Sequence, residues 1–376
     1  MEHYLDNAAT TRVCPEAAQA ALYAMTEGYG NPSSTHTKGR QAARLLSHAR
    51  EQVSAAVGCE AQELVFTSCG SESDNWAILG GAEANRRVGG HIISSAVEHD
   101  AVRKSLDELE RRGFTVTRLR PDASGAIRVE DVRDALREDT ALVTLMLVNN
   151  ETGGVTDIAA IARELRLRSS HALLHTDAVQ GFLKVPFSAK TLGADLISIS
   201  GHKIHAPKGV GALYIRRGLR LRPFIAGGGQ ENGRRAGTEA VSQICAFGEA
   251  AELGARAAKD SQARMAALKA SIVEKLSVAL PDVLFVDSAA PHILSLSLPG
   301  YRSEVLMNVL ESKEIYVSKS SACKKGGRSH VLEAMGLDTR RIDGALRIGL
   351  SRYTTEEDID ALCAALIEAH GTLAHR

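Results

Sequence analysis

Residues able to do bond chemistry recur in this chain at one kind of place, just past a short apolar run. Lys203 follows DLISIS in a turn bounded by Gly201 and Pro207, and Asp177 and Gln180 follow the run 172–176 in HTDAVQG. Glu98 and His99 follow 91–97, Asn149-Asn150-Glu151 follow 141–148, and Cys69-Gly70-Ser71-Glu72 follow LVFTS at 64–68. A lysine amine can bond to a carbonyl carbon, an aspartate can hold a positively charged ring nitrogen, and an imidazole can stack on a flat ring. Gly70-Ser71, where a helical pattern opens, offers backbone N–H groups and a hydroxyl to an anion. The same turn also reads as an ordinary N-cap with Glu72 in the first turn.

Two further residues stand apart from these runs. Cys323, in SKSSACKKGGRSH, lies among Lys319, Lys324 and Lys325, whose charge favours the thiolate, and Gly326-Gly327 follow it. Its alternative is the common one for cysteine, a buried filler. Arg347 lies in the apolar stretch GALRIGLSRYTT, where a guanidinium requires a carboxylate partner. That partner is either a substrate or a structural Asp or Glu. A lysine and an acid at one sheet edge, with an anion-binding turn and a ring-capable histidine, are what pyridoxal phosphate needs from a protein.

These side chains converge only if the elements between them form an open α/β sheet, in which ligands bind outside the carboxyl ends of the strands. Seven apolar runs, at 64–68, 91–97, 114–119, 141–148, 172–176, 195–200 and 210–215, mostly separated by helical patterns, predict that sheet. Only nine residues, 201–209, join the last two, too few for a parallel crossover, so the final strand should run backwards in a mostly parallel sheet. A long Ala-, Glu- and Lys-rich helical stretch then runs to about 280, followed by strands near 284–286 and 293–298 and helices near 302–312 and 355–369. The expected division is a large domain over 14–255 and a smaller α+β domain built from 1–13 and 256–376.

Composition excludes several classes. The 376 residues carry 45 Lys plus Arg and 45 Asp plus Glu, so no net field recruits nucleic acid or an anionic membrane. No run approaches a spanning helix and the start lacks a signal-peptide pattern, so a cytoplasmic protein is expected. Six cysteines without two-residue spacing suggest neither a zinc knuckle nor a disulfide framework, and no metal site is expected.

The residues also resemble a known family, the pyridoxal-phosphate-dependent cysteine desulfurases of the class V aminotransferase superfamily, NifS- and IscS-like, nearly end to end. The blocks that carry the likeness are YLDNAATT at 4–11, GNPSSTH at 30–36, EHDAV at 98–102, NNETG at 149–153, TDAVQG at 176–181, SGHKIHAPKG at 200–209, GGGQENGRRAGT at 227–238 and LRIGLSRYTTEEDID at 346–360. The resemblance implies PLP fold type I, aspartate aminotransferase-like, with Lys203 holding pyridoxal 5'-phosphate, Asp177 at the pyridinium nitrogen, Gln180 at the ring phenolate and His99 stacked on the ring. It implies a phosphate cradle of Gly70, Ser71, Ser200 and His202. Thr238 would reach the phosphate across a homodimer interface. Asn150 and Arg347 would hold the carboxylate of L-cysteine, and Cys323 would accept its sulfur for a carrier such as an iron–sulfur scaffold or a tRNA-thiolation enzyme. Two departures stand out: Cys69-Gly70-Ser71-Glu72 where the family usually shows Gly-Ala-Thr-Glu, and a shorter, more basic segment after Cys323. Rival readings are a selenocysteine or cysteine-sulfinate lyase or an aminotransferase of the same fold, and a non-enzymatic binding module.

Overall fold

The structure is a computed structural model and describes residues 2–168, 170–319 and 327–373. After a short β1 (His3–Tyr4), seven strands build the central sheet: β2 (Leu64–Thr67), β3 (His91–Ser95), β4 (Thr115–Leu119), β5 (Thr140–Thr144), β6 (Leu173–Asp177), β7 (Leu196–Ser200) and β8 (Gly211–Ile215). Their spatial order is β2-β8-β7-β6-β5-β3-β4. All are parallel except β8, which runs against both β7 and β2. This is the reversed strand that the nine-residue link requires. Every residue of β3, β5, β6 and β7 is buried, as expected for parallel strands with both faces covered, whereas edge strand β4 exposes Thr115 and Arg118.

Because β2 and β7 share a direction, the carboxyl ends of β2, β3, β5, β6 and β7 meet at one edge. Register makes this concrete: Thr67 pairs with Gly211, and Gly211 with Ser200. Gly211 has to be glycine, since a Cβ there would lie 2.8 Å from the Ile199 carbonyl oxygen and 3.1 Å from the Cys69 Cα. The run 141–148 leaves the ladder at Thr144 but continues beside β6, with Leu147 N donating to the Asp177 oxygen at 2.9 Å. That carries Asn149 and Asn150 to the same edge.

A second layer lies beyond the helix Val241–Ala279. Strands β9 (Leu284–Phe285), β10 (Ile293–Ser297), β12 (Ser318–Lys319) and β13 (Ala345–Gly349) form an antiparallel sheet in the order β12-β13-β10-β9, while β1 pairs in parallel with β11 (Ile315–Tyr316). The hydrophobic interior is divided accordingly. Ile244 and Phe247 of the long helix pack with the central sheet, whereas Met265, Leu268 and Ile272 of the same helix pack with Leu5, Leu294 and Leu346. The helix passes 255 without a break. Leu5 belongs to the second core and Ala8 to the first, so the amino-terminal segment crosses between them and lies over the sheet edge. No helix among the described residues is long and apolar enough to cross a membrane.

Candidate active site

At that edge a cavity of about 350 Å³ takes side chains from five strand ends and from both layers. Lys203 occupies a single 3-10 turn, Gly201–Lys203, which begins where β7 stops. Its Nζ donates to the carbonyl oxygens of Ala8 at 2.7 Å and Ala9 at 2.6 Å, so the crossing amino-terminal segment holds the amine in place. Gln180 Nε2 donates to the same Ala8 oxygen at 2.8 Å, and its Oε1 is buried without a partner among the described residues.

Asp177 ends β6 and is 5% exposed. Its Oδ1 accepts from Val179 N at 2.9 Å. Burial raises its pKa, and the nearby His99 and Lys203 oppose that rise. His99 caps the helix Asp100–Arg111, its Nδ1 accepting from Ala101 N at 3.1 Å, so a neutral ring carries its proton on Nε2. Beneath Asp177 lies a polar layer that sequence reading missed. Asp74, one turn past Ser71, is 1% exposed and lines the cavity, and its pKa is pushed well up by burial and by Asp177. His175 sits beside it, bonded to Thr144 at 2.8 Å and Ser198 at 3.0 Å and held neutral by burial, its pKa pushed down to about 3. The ESDN continuation of the Cys69–Glu72 turn was the available signal for Asp74.

The anion side of the cavity combines Gly70 and Ser71, at the start of the helix Gly70–Asn75, with Ser200 and His202. A Cβ on Gly70 would meet Val179 Cγ2 at 2.7 Å and Ser200 Cβ at 3.4 Å. Ser200 Oγ is buried and has no partner among the described residues. His202, 3.2 Å from Thr10 Oγ1, has its pKa pushed down to about 4 by burial and by Lys203 and is a neutral ring at neutral pH.

Arg347, on β13, enters from the second layer. Nη2 lies 3.0 Å from Asp6 Oδ1, Nη1 donates to the Asn150 carbonyl at 3.0 Å, and Nε is buried without a partner among the described residues. The structural carboxylate left open by the sequence is therefore Asp6, yet Arg347 and Asn150 both line the cavity.

Of the two remaining expected residues, one lies outside this assembly and the other outside the described residues. Thr238 lines a separate cleft of about 70 Å³ with Ser68 and Arg235. Its Gly-rich segment is anchored by Glu231, whose carboxylate accepts from Arg50 at 2.8 and 2.6 Å and from Phe66 N at 3.0 Å. Cys323 lies outside the described residues. Each described flank of its segment contacts a residue at or next to one that lines the cavity: Ser318 pairs across the sheet with Arg347, and Ser329 Oγ donates to Glu151, next to Asn150. A larger cleft of about 650 Å³ between Lys319 and Gly327 contains none of the ring- or phosphate-binding candidates.

The residues present fit pyridoxal phosphate. The cavity has the size of a small-cofactor site. Ser200 Oγ and Gln180 Oε1 are buried polar atoms without a partner among the described residues, Gly70 leaves room for backbone approach, and a buried carboxylate and a lysine amine share the space.

The model for the class-V aminotransferase family matches residues 3–362. The chain is 42% identical over 372 residues to a cysteine desulfurase of Trichormus azollae, covering 97% of this chain and 92% of that protein. Among solved structures, a NifS-like protein superposes with a TM-score of 0.93 at 36% identity, covering 99% of this chain and all of the other. SspA in complex with cysteine gives 0.81 at 32% identity, covering 94% and 100%. The chain belongs to the cysteine desulfurases of the class-V aminotransferase family.

Proposed function

We propose that the protein converts L-cysteine to L-alanine with pyridoxal phosphate and carries the released sulfur as a persulfide on Cys323. The observation that supports this is the meeting of Lys203, Asp177, Gln180, Ser200 and Arg347 in one cavity, drawn from two layers and from positions 177 to 347 of the chain. When bound, the cofactor supplies an electron sink that acidifies the substrate Cα–H and weakens the bond from Cβ to sulfur.

The chain's own residues do the rest. Lys203 would hold the cofactor and then move the Cα proton, with Nζ oriented by the Ala8 and Ala9 carbonyls. Asp177 would face the ring nitrogen, Gln180 the ring oxygen and His99 the ring plane, while Gly70, Ser71, Ser200 and His202 would take the phosphate. Thr238 of the partner subunit would complete that cradle in a homodimer. Arg347 and Asn150 would fix the substrate carboxylate. The Cys323 thiolate attacks the substrate sulfur: an S–S bond forms, the Cβ–S bond breaks, and the carbon skeleton leaves as alanine after protonation. The second core, built from Leu5 and from residues between Met265 and Ala369, supports a smaller lobe within 1–13 and 256–376, although Ala8, Ala290, Ile293 and Val331 pack in the first core; that lobe would present the thiol to an acceptor protein. A cytoplasmic setting, where thiols stay reduced, suits such a carrier.

The test is mass spectrometry of the full-length protein after L-cysteine. One added sulfur on Cys323, and loss of alanine formation in Cys323→Ala, are expected. Undiminished sulfur release in that variant would replace the persulfide route with a lyase of the same fold. No visible absorbance after adding pyridoxal phosphate would point to a binding module instead.

A further inference from the structure

Lys203 also borders a second, smaller cavity of about 30 Å³, shared with Lys184, His205, Ser261, Ser351 and Arg352. None of its lining residues is a carboxylate. Lys184 is 5% exposed, and neither its Nζ nor Arg352 Nη2 has a hydrogen-bond partner among the described residues. Two cationic donors are thus buried at one void with no counter-charge in its wall, an arrangement that costs stability unless something compensates.

Neighbouring groups report the same positive field. Burial and the charges of Lys203 and Arg347 push Lys184 down to about 7. Burial, Arg352 and Lys184 push His205 down to about 4, against a hydrogen bond to the Arg12 carbonyl. His292, fully buried, is driven well down by burial, Lys184 and Lys269. None of the main influences on the three among the described residues is an acidic side chain.

We propose that this cavity is a small-anion site that takes one chloride-sized monovalent anion between Lys184 and Arg352, with the Ser261 and Ser351 hydroxyls as additional donors. The volume exceeds the roughly 10–15 Å³ needed for one water-sized particle and is far too small for a phosphate ester or an amino acid. A halide only accepts hydrogen bonds, which matches ammonium, guanidinium and hydroxyl groups. The site is separate from the one assigned to pyridoxal phosphate and stands whether or not that assignment does.

The experiment melts the full-length protein in sodium chloride and in sodium gluconate at matched ionic strength, and soaks its crystals in sodium bromide. Chloride at about ten times its Kd should raise Tm by about 2 °C in a saturable way that gluconate does not reproduce. Anomalous scattering should place a bromide in contact with Lys184 Nζ. Lys184→Met should abolish both effects; if that variant does not fold, Arg352→Gln should weaken the apparent chloride affinity at least tenfold. Equal stabilisation by gluconate, unchanged chloride dependence in Arg352→Gln, or a site holding water alone in bromide-soaked crystals would overturn the inference.

Discussion

Replacing Arg347 with Gln separates the substrate-binding reading from a structural one. The wild-type guanidinium spends Nη2 on Asp6 and Nη1 on the Asn150 carbonyl, and Nε is buried without a partner among the described residues in a side chain only 3% exposed. An incoming carboxylate would meet a fixed, desolvated charge, and such charge-assisted hydrogen bonds contribute about 1.5–3 kcal/mol. Their loss converts to a fall of about 10–150-fold in kcat/KM for L-cysteine, carried mainly by KM. Cysteamine, which has the amine and thiol but no carboxylate, should be used equally poorly by both proteins, so the discrimination between the two substrates collapses. The variant also strands Asp6, whose side chain is 20% exposed, so a stability loss of about 1–2 kcal/mol is expected, below that of a fully buried pair. Steady-state kinetics on both substrates, beside a denaturant melt, make the check. Parallel losses for L-cysteine and cysteamine, or no change in either, would refute the reasoning.

Gly70→Ala should weaken pyridoxal phosphate binding by about tenfold while leaving the cofactor-free protein folded, because the new methyl contacts Val179 Cγ2, a side-chain end that can shift; fluorescence titration of the cofactor measures it. Glu98 is fully buried, its Oε1 accepting from Ser95 Oγ and Met146 N and its Oε2 without a partner among the described residues, and burial pushes its pKa up to about 8. Its folded pKa lies above its unfolded one, so its contribution is full below about pH 4 and is lost as pH rises to about 8. Glu98→Gln should therefore flatten the fall of stability across that window and be the more stable protein above it, as read by melts at stepped pH. Glu231→Ala should cost about 2–4 kcal/mol in urea unfolding, because it leaves Arg50 and the Phe66 amide without their shared carboxylate.

The sequence by itself determined the α/β class, the seven strands and the reversed one. Apolar runs of strand length between helical patterns admit few other packings, and nine residues cannot cross over a sheet. It also marked most of the cavity's lining, since side chains just past parallel strands have to share an edge. Other features had no local signal. The use of the Ala8 and Ala9 carbonyls to hold Lys203 depends on a crossing of the amino-terminal segment between two cores, and their alanine side chains say nothing about it. Asp6 as the partner of Arg347 joins positions 341 residues apart. The charge states of Asp74, Glu98 and Lys184 were likewise decided only by tertiary structure, because a titrating group responds to the water removed from around it and the charges brought near it, and both come from chain segments remote in sequence.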